Sequence, residues 1–405
     1  MEALTIAIDD PGELAARVPA DGLAWLRNGD GLVGIGIAAR YRPLDAADAE
    51  RWWNGFTQDL RCRNELPEVF GTGPLAFASL VFDPDNTASA SVLTVPELII
   101  GRRHGNCWLT SVGDRGNRPA LPAVGPAPTP PATAAVSPVG LDAGQWRRAV
   151  AETVSRLNDP LTKVVLARAL RIQTSAPIDP RWLVRKLAEN YPTCWTYCHD
   201  GLVGATPELL VRRERGLVTS RVLAGTIRRN GGEELDLKLA HSLARSSKNL
   251  VEHELAVESV ADALAKHSWS MNVPERPFVL ELPNVLHLAS DVTASVHDDA
   301  SALRVAGALH PSAAVCGTPT GLARATIAEL EHLDRGRYSG PVGWIDSAGD
   351  GEFGIGLRCG QIDAADPSSI RIYAGCGIVA ESDPAEEYAE TEAKLIPMLQ
   401  TLGIG

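Results

Sequence analysis

Long apolar runs are missing from this 405-residue sequence. The longest, such as 74–82, are strand-sized and fall well short of the ~20 residues a helix needs to cross a bilayer. Basic charge is also scarce: 38 Lys and Arg stand against 50 Asp and Glu, a net charge of −12. A negative field repels phosphate backbones and anionic lipid surfaces, so neither nucleic acid nor a membrane is expected as a partner. A small anionic substrate would need a local basic pocket. Paired cysteines are lacking too, because the seven are scattered and odd in number. The N-terminus, MEALTIAIDDPGEL, has early acids and no basic, apolar and small-residue succession, so no secretory signal is expected. Reduced thiols in a cytoplasmic protein follow. There is no Walker loop, no HExxH and no Gly-x-Ser-x-Gly.

What is present is ordinary globular composition, 45% apolar and 22% charged, with 37 Gly and 28 Pro. The stretch 117–138 (NRPALPAVGPAPTPPATAAVSP) has seven prolines and no acids, which excludes helix and central strand. It separates a divergent N-terminal part, 1–116, from 139–405. The N-terminal part carries strand-like runs at 32–38, 76–82 and 98–102, a turn signal at Asn28-Gly29-Asp30-Gly31, and few helical patterns. It therefore needs a partner sheet or helices from the rest of the chain, and we read residues 1–405 as one unit. Beyond the linker, Asp142 and Gln145 form a capping-box pattern for a helix through about Asn158. Strands are expected at 163–172, within 194–211, and at 286–296, 340–346 and 352–359, the last two joined as a hairpin. Helices are expected at 234–245, 248–266 and 384–402. The second of these places Leu250, Val257, Val260, Ala261 and Leu264 near one face. The mixture lacks strict alternation, so the predicted class is α+β.

Several motifs are weak. Gly34-Ile-Gly36-Ile-Ala-Ala39 lacks the strand-before-helix context of a dinucleotide loop. Cys194-x3-Cys198-His199 lacks the second cysteine pair of a zinc site. The segment 346–352 has the wrong spacing for a calcium loop.

Four stretches read better together. Lys163 heads the apolar strand KVVLAR, and Glu208 sits in ATPELLV. Lys248, Glu252 and His253 share the helical segment SSKNLVEH. Glu387 and Glu390 lie three apart on the last helix, where one face presents both carboxylates. Glu390 with Lys394 at i+4 also fits an ordinary surface pair. Asp383 with Glu386, and Pro384 between them, reads as a capping box.

These stretches, together with VLAGTIRR, LHLASDV, LHPSAAVCGTP, RGRYSGPVGW, GEFGIGLRCG, YAGCGIV and SDPAEEYAETEAKL, occur in an order that resembles the chorismate-utilising enzymes. That family holds the isochorismate, salicylate, anthranilate and aminodeoxychorismate synthases. The resemblance runs from about Gln145 to the C-terminus and is weaker before it. It implies a single large two-sheet α+β unit with surrounding helices and an active site in the central cleft.

The resemblance places Lys163 at the position of the base that activates water and Glu208 at that of the acid. Isochorismate forms when water adds at C2 of chorismate and the C4 hydroxyl leaves, so one group must take a proton and another must give one. The base lysine must then act uncharged, and the acid must stay protonated at neutral pH. The resemblance also implies Mg2+ on Glu252 and Glu390, with Glu387 nearby or acting through water. Arg358 and Tyr338 match residues holding a substrate carboxylate. Gly375 and Gly377 match backbone positions that approach the substrate, and Gly225, Thr226 and His287 match residues lining the ring.

Amine-forming relatives usually carry glutamine at the Lys163 position and draw ammonia from a glutaminase partner. Here there is lysine and no glutaminase domain, so no such subunit is expected. Ala224 stands where aminodeoxychorismate synthases have a nucleophilic lysine, and the Leu-Leu-Glu-Ser feedback motif of anthranilate synthases is absent. Asn249 replaces an acid usual in the family, Ala313 a proline and Thr206 a serine. The expectation is a monomeric Mg2+-dependent isochorismate synthase. The alternatives are a salicylate synthase, which would go on to eliminate pyruvate, and an inactive member serving as a binding subunit. Isochorismate feeds both menaquinone and siderophore pathways, and the residues do not choose between them.

Overall fold

The computed structural model describes residues 1–113, 118–229, 232–297 and 300–404. The first positions of the proline-rich stretch and the end of the N-terminal part therefore lie partly outside the described residues. Two large sheets, one of 13 and one of 10 strands, are flanked by eight α-helices among the described residues, and neither sheet closes into a barrel. This is the α+β architecture expected.

Six elements build the site: β1 (Lys163–Thr174), β2 (Leu217–Arg228), α1 (Ser247–Ala265), β3 (Val285–Val296), β4 (Ser369–Ile378) and α2 (Pro384–Thr401). β1 and β4 pair antiparallel in the 13-stranded sheet, and β2 and β3 pair in the 10-stranded sheet. Residues 163–169 of β1 are all buried, which explains why the strand reads as a nearly continuous apolar run. α1 lies on β2 and β3 and buries His253, Ala256, Val257, Val260 and Leu264. Leu250 and Ala261, expected on the same face, are only half-buried.

The N-terminal strands pair into both sheets. Leu23–Arg27 joins Trp195–His199 in the larger one, and Leu75–Ser79 joins Pro341–Asp346 in the smaller. The proline-rich stretch ends in a strand, Thr133–Val139, at the edge of the larger sheet, where Pro138 can be tolerated.

Two expectations need correction. The run 352–359 is not one strand: Gly351–Ile355 belongs to the smaller sheet and Cys359–Ile362 to the larger. Residues 356–358 cross between the sheets, and Arg358 sits there at φ 49°. At the start of α2, Asp383 accepts hydrogen bonds from the N–H groups of Ala385 and Glu386, but the Glu386 side chain returns none, so the box is half made. At Ala143–Arg156 both halves form between Asp142 and Gln145.

Candidate active site

Lys163 begins β1 fully buried, with Nζ 3.3 Å from Glu252 Oε1 on α1. That contact lacks hydrogen-bond geometry, and Nζ has no hydrogen-bond partner among the described residues. Antiparallel pairing sets Val165 opposite Gly377 and Ala167 opposite Gly375. A β-carbon on Gly377 would lie 2.2 Å from Glu252 Oε1 and 2.8 Å from Lys163 Cε. One on Gly375 would lie 3.1 Å from the Tyr338 hydroxyl. The bare backbone at both positions therefore makes room for the site's own side chains.

Glu208 lies in the short link between the strands Leu202–Thr206 and Leu209–Glu214, which belong to different sheets. It is buried, and burial pushes its carboxyl up to about 8, against the opposing pull of the Leu223 N–H and of Lys163, Lys394 and Arg358. That shift favours the protonated carboxyl near neutral pH.

A bulge in β2 shifts the register between Ala224 and Thr226, with Gly225 at φ +77°. The bulge sets Thr226 opposite His287 of β3. Arg358 donates through Nη2 to His287 Nε2 at 2.9 Å, so that nitrogen must be the acceptor. His287 Nδ1 then carries the ring proton and donates to Thr226 Oγ1 at 3.0 Å. Burial, reinforced by the Arg358 and Lys394 charges, keeps the imidazole neutral. The relay leaves Arg358 Nη1 buried and with no hydrogen-bond partner among the described residues. A guanidinium N–H so placed can receive a carboxylate. Tyr338 stacks on Tyr373 with centroids 4.8 Å apart.

The three carboxylates expected to bind metal each face a lysine: Glu252 faces Lys163, Glu387 faces Lys248 at 2.6 Å, and Glu390 faces Lys394 at 2.5 Å. They also feel one another. Burial raises the Glu390 carboxyl, Lys394 opposes that, and the charges of Glu387 and Glu252 raise it further. As placed, no three Asp, Glu, His or Cys side chains among the described residues stand close enough to hold an ion. The donor chemistry nevertheless fits a hard divalent cation, since these are oxygen ligands with mutual repulsion for a cation to relieve.

Glu208, Gly225, Thr226, Glu252, His287, Tyr338, Arg358, Gly375 and Gly377 line one cavity of ≈ 60 Å³. Lys163, Glu387 and Glu390 are not among its lining residues, although Lys163 contacts Glu252 and Glu390 contacts Lys394, which are. A larger cavity of ≈ 290 Å³, with Trp25, Arg103, Trp195 and Trp344 among its walls, contains none of these residues. The smaller one brings together Glu208, the Arg358 guanidinium and the Glu252 carboxylate. Lys394, left out of the predicted site, lines this cavity and donates to the Gly375 carbonyl at 2.9 Å. Its i+4 spacing to Glu390 pointed to an ordinary pair, and nothing in the spacing shows that the pair faces inward.

The chorismate binding enzyme family profile matches residues 122–403. Over 272 residues the chain is 39% identical to isochorismate synthase DhbC of Bacillus subtilis (strain 168), spanning 64% of this chain and 68% of that protein. The crystal structure of DhbC from Bacillus anthracis superposes with a TM-score of 0.81 at 30% identity, covering 98% of this chain and 100% of that one. MenF, the menaquinone-specific isochorismate synthase from Escherichia coli, superposes with a TM-score of 0.81 at 26% identity, covering 99% and 94%.

Proposed function

This chain belongs to the chorismate binding enzyme family, and we propose that it is an isochorismate synthase working with Mg2+. The observation that carries the reading is Glu208, a carboxylic acid held neutral in a cavity that also presents an unpaired guanidinium N–H. A substrate carboxylate docks on Arg358 Nη1, while His287 and Thr226 hold the guanidinium in place. Water attacks C2 and gives a proton to the free amine of Lys163. Glu208 protonates the C4 hydroxyl, which departs as water while the ring double bonds shift. In reverse the two groups exchange duties. Glu252 and Glu390 would hold the metal with Glu387 beside them, and Mg2+ when bound neutralises charge on the ring carboxylate. The names of the relatives include both a menaquinone-specific and a vibriobactin-specific enzyme, so both destinations of isochorismate are represented. We assign the reaction to the cytoplasm, which suits seven free thiols, six of them buried.

The test is a product analysis with purified protein, chorismate and Mg2+ near neutral pH. The expected result is a mixture of chorismate and isochorismate reached from either side, with no pyruvate above the slow decay of isochorismate. Both compounds are hydroxylated dienols with similar bonds, so neither should dominate. Stoichiometric pyruvate and salicylate would overturn the assignment, because that elimination makes an aromatic ring and drains the mixture. Anthranilate formed with ammonia as the sole productive nucleophile would overturn the role of Lys163 as well.

A further inference from the structure

The helix that supplies Glu252 holds next to it a buried side chain that the reaction does not use. His253 is 3% exposed and reaches two neighbouring strands at once. Its Nδ1 lies 3.3 Å from the Ala224 carbonyl of β2, and its Nε2 lies 2.9 Å from Ser290 Oγ of β3. A carbonyl only accepts, so Nδ1 carries the ring proton and Nε2 accepts from the Ser290 hydroxyl. Ala224 immediately precedes Gly225, where the register slips. A bulge interrupts the ladder, and here a ring N–H of the helix meets the carbonyl at its edge. One helical turn earlier, Asn249 fills the other side of the bulge: a β-carbon on Gly225 would lie 3.0 Å from Asn249 Cβ. Two successive turns of α1 thus seat on the kink that presents Thr226 to His287.

We propose that His253 is a positioning residue that sets the distance of Glu252 from the Thr226–His287–Arg358 relay by clamping α1 to the β2 bulge. Glu252 is the next residue back along the helix and faces the cavity. Any drift of α1 from the bulge moves that carboxylate relative to Glu390, which stands on a different helix. The inference rests on the reading of Glu252 as a metal ligand. A residue that orients a ligand without touching the ion commonly changes metal affinity by about 10–100-fold when removed.

The experiment measures Mg2+ binding directly by titration calorimetry, alongside thermal melts in metal-free buffer and kcat. The variants are His253→Ala, His253→Asn, Ser290→Ala and Glu252→Gln. His253→Ala should weaken Mg2+ binding by about tenfold or more and lower kcat. His253→Asn, which can keep an N–H donor near the Nδ1 position, should recover most of that affinity. Ser290→Ala, which leaves the Ala224 contact in place, gives a second readout should His253→Ala fail to fold, and should weaken binding by about threefold. Mg2+ affinities of His253→Ala and Ser290→Ala within twofold of wild type, beside a weakened Glu252→Gln, would overturn the inference and leave the proposed function standing. His253→Asn binding as poorly as His253→Ala would overturn the donor role. A shift in melting temperature alone, with Mg2+ affinity unmoved, would reduce His253 to a packing residue. Unaltered binding by Glu252→Gln would remove the metal reading and this inference with it.

Discussion

Lys163 and Glu252 face each other across 3.3 Å between Nζ and Oε1, and Gly377 passes so close that its missing β-carbon would overlap both. The clash is with movable side-chain atoms, and Gly377 has no left-handed backbone to protect, so an alanine there leaves the fold intact and separates the pair. For Gly377→Ala we predict kcat/KM lower by about 100-fold, with the melting temperature nearly unchanged. A normal rate in the folded variant would contradict the arrangement.

Lys163→Gln removes the group proposed to take the proton from water. Isochorismate formation should fall by roughly 10²–10⁴-fold, the usual scale for a lost general base. The measurement is initial rate with saturating Mg2+, and turnover near wild type would end the assignment of Lys163.

The Glu208 carboxyl rises from 4.5 to about 8, so the folded chain keeps this proton over a range where the unfolded chain has lost it. Its stabilising contribution is complete below about 4.5 and is lost as pH rises through about 8. The forward rate should show an alkaline limb near that value, which Glu208→Gln abolishes along with most of the activity. Melting curves should show Glu208→Gln gaining stability over wild type at pH 9 but not at pH 4. The same difference at both pH values would remove Glu208 as its source.

Metal removal should stop turnover. Excess chelator is expected to eliminate activity, and Mg2+ to restore it. Glu390→Gln should raise the Mg2+ concentration for half-maximal rate by about tenfold, because a neutral oxygen replaces an anionic one. Persistent activity in chelator would contradict the carboxylate-site reading.

Arg358 uses one nitrogen for His287 and leaves another open. A lysine offers a point charge instead of a planar fork and cannot serve both directions. Arg358→Lys should raise KM for chorismate by roughly 10–100-fold, with a smaller effect on kcat. Unchanged KM would release Arg358 from carboxylate binding.

Local chemistry made some of this legible in advance. The Asp142–Gln145 box, the acid face of α2 and the apolar strand opening at Lys163 each announce themselves within a few residues. The crossing at 356–358 did not, because 352–359 looks like uninterrupted strand and only long-range pairing shows that its two ends belong to different sheets. That crossing is what turns Arg358 inward. Lys394 was hidden for a related reason: i,i+4 spacing reads the same on an exposed face as on one packed against β4. His253 was visible as a letter in a motif, but its role depends on a bulge that periodicity cannot reveal.

The pairing of β1 with β4 also bears on how the chain is made. β1 joins β4 along ten positions, yet β4 is synthesised roughly 200 residues later. At about 5–20 residues per second, a ribosome takes on the order of 10–40 s to deliver that partner. During this interval the strand headed by Lys163 leaves the exit tunnel as a largely apolar ribbon with its β4-facing edge open. The arrangement that joins Lys163 to Gly375 and Gly377 thus postpones assembly of this cavity until residue 378 has been made. A nascent chain stalled before residue 369 holds Glu208 and Glu252 but lacks the Gly375–Gly377 backbone that lines their cavity.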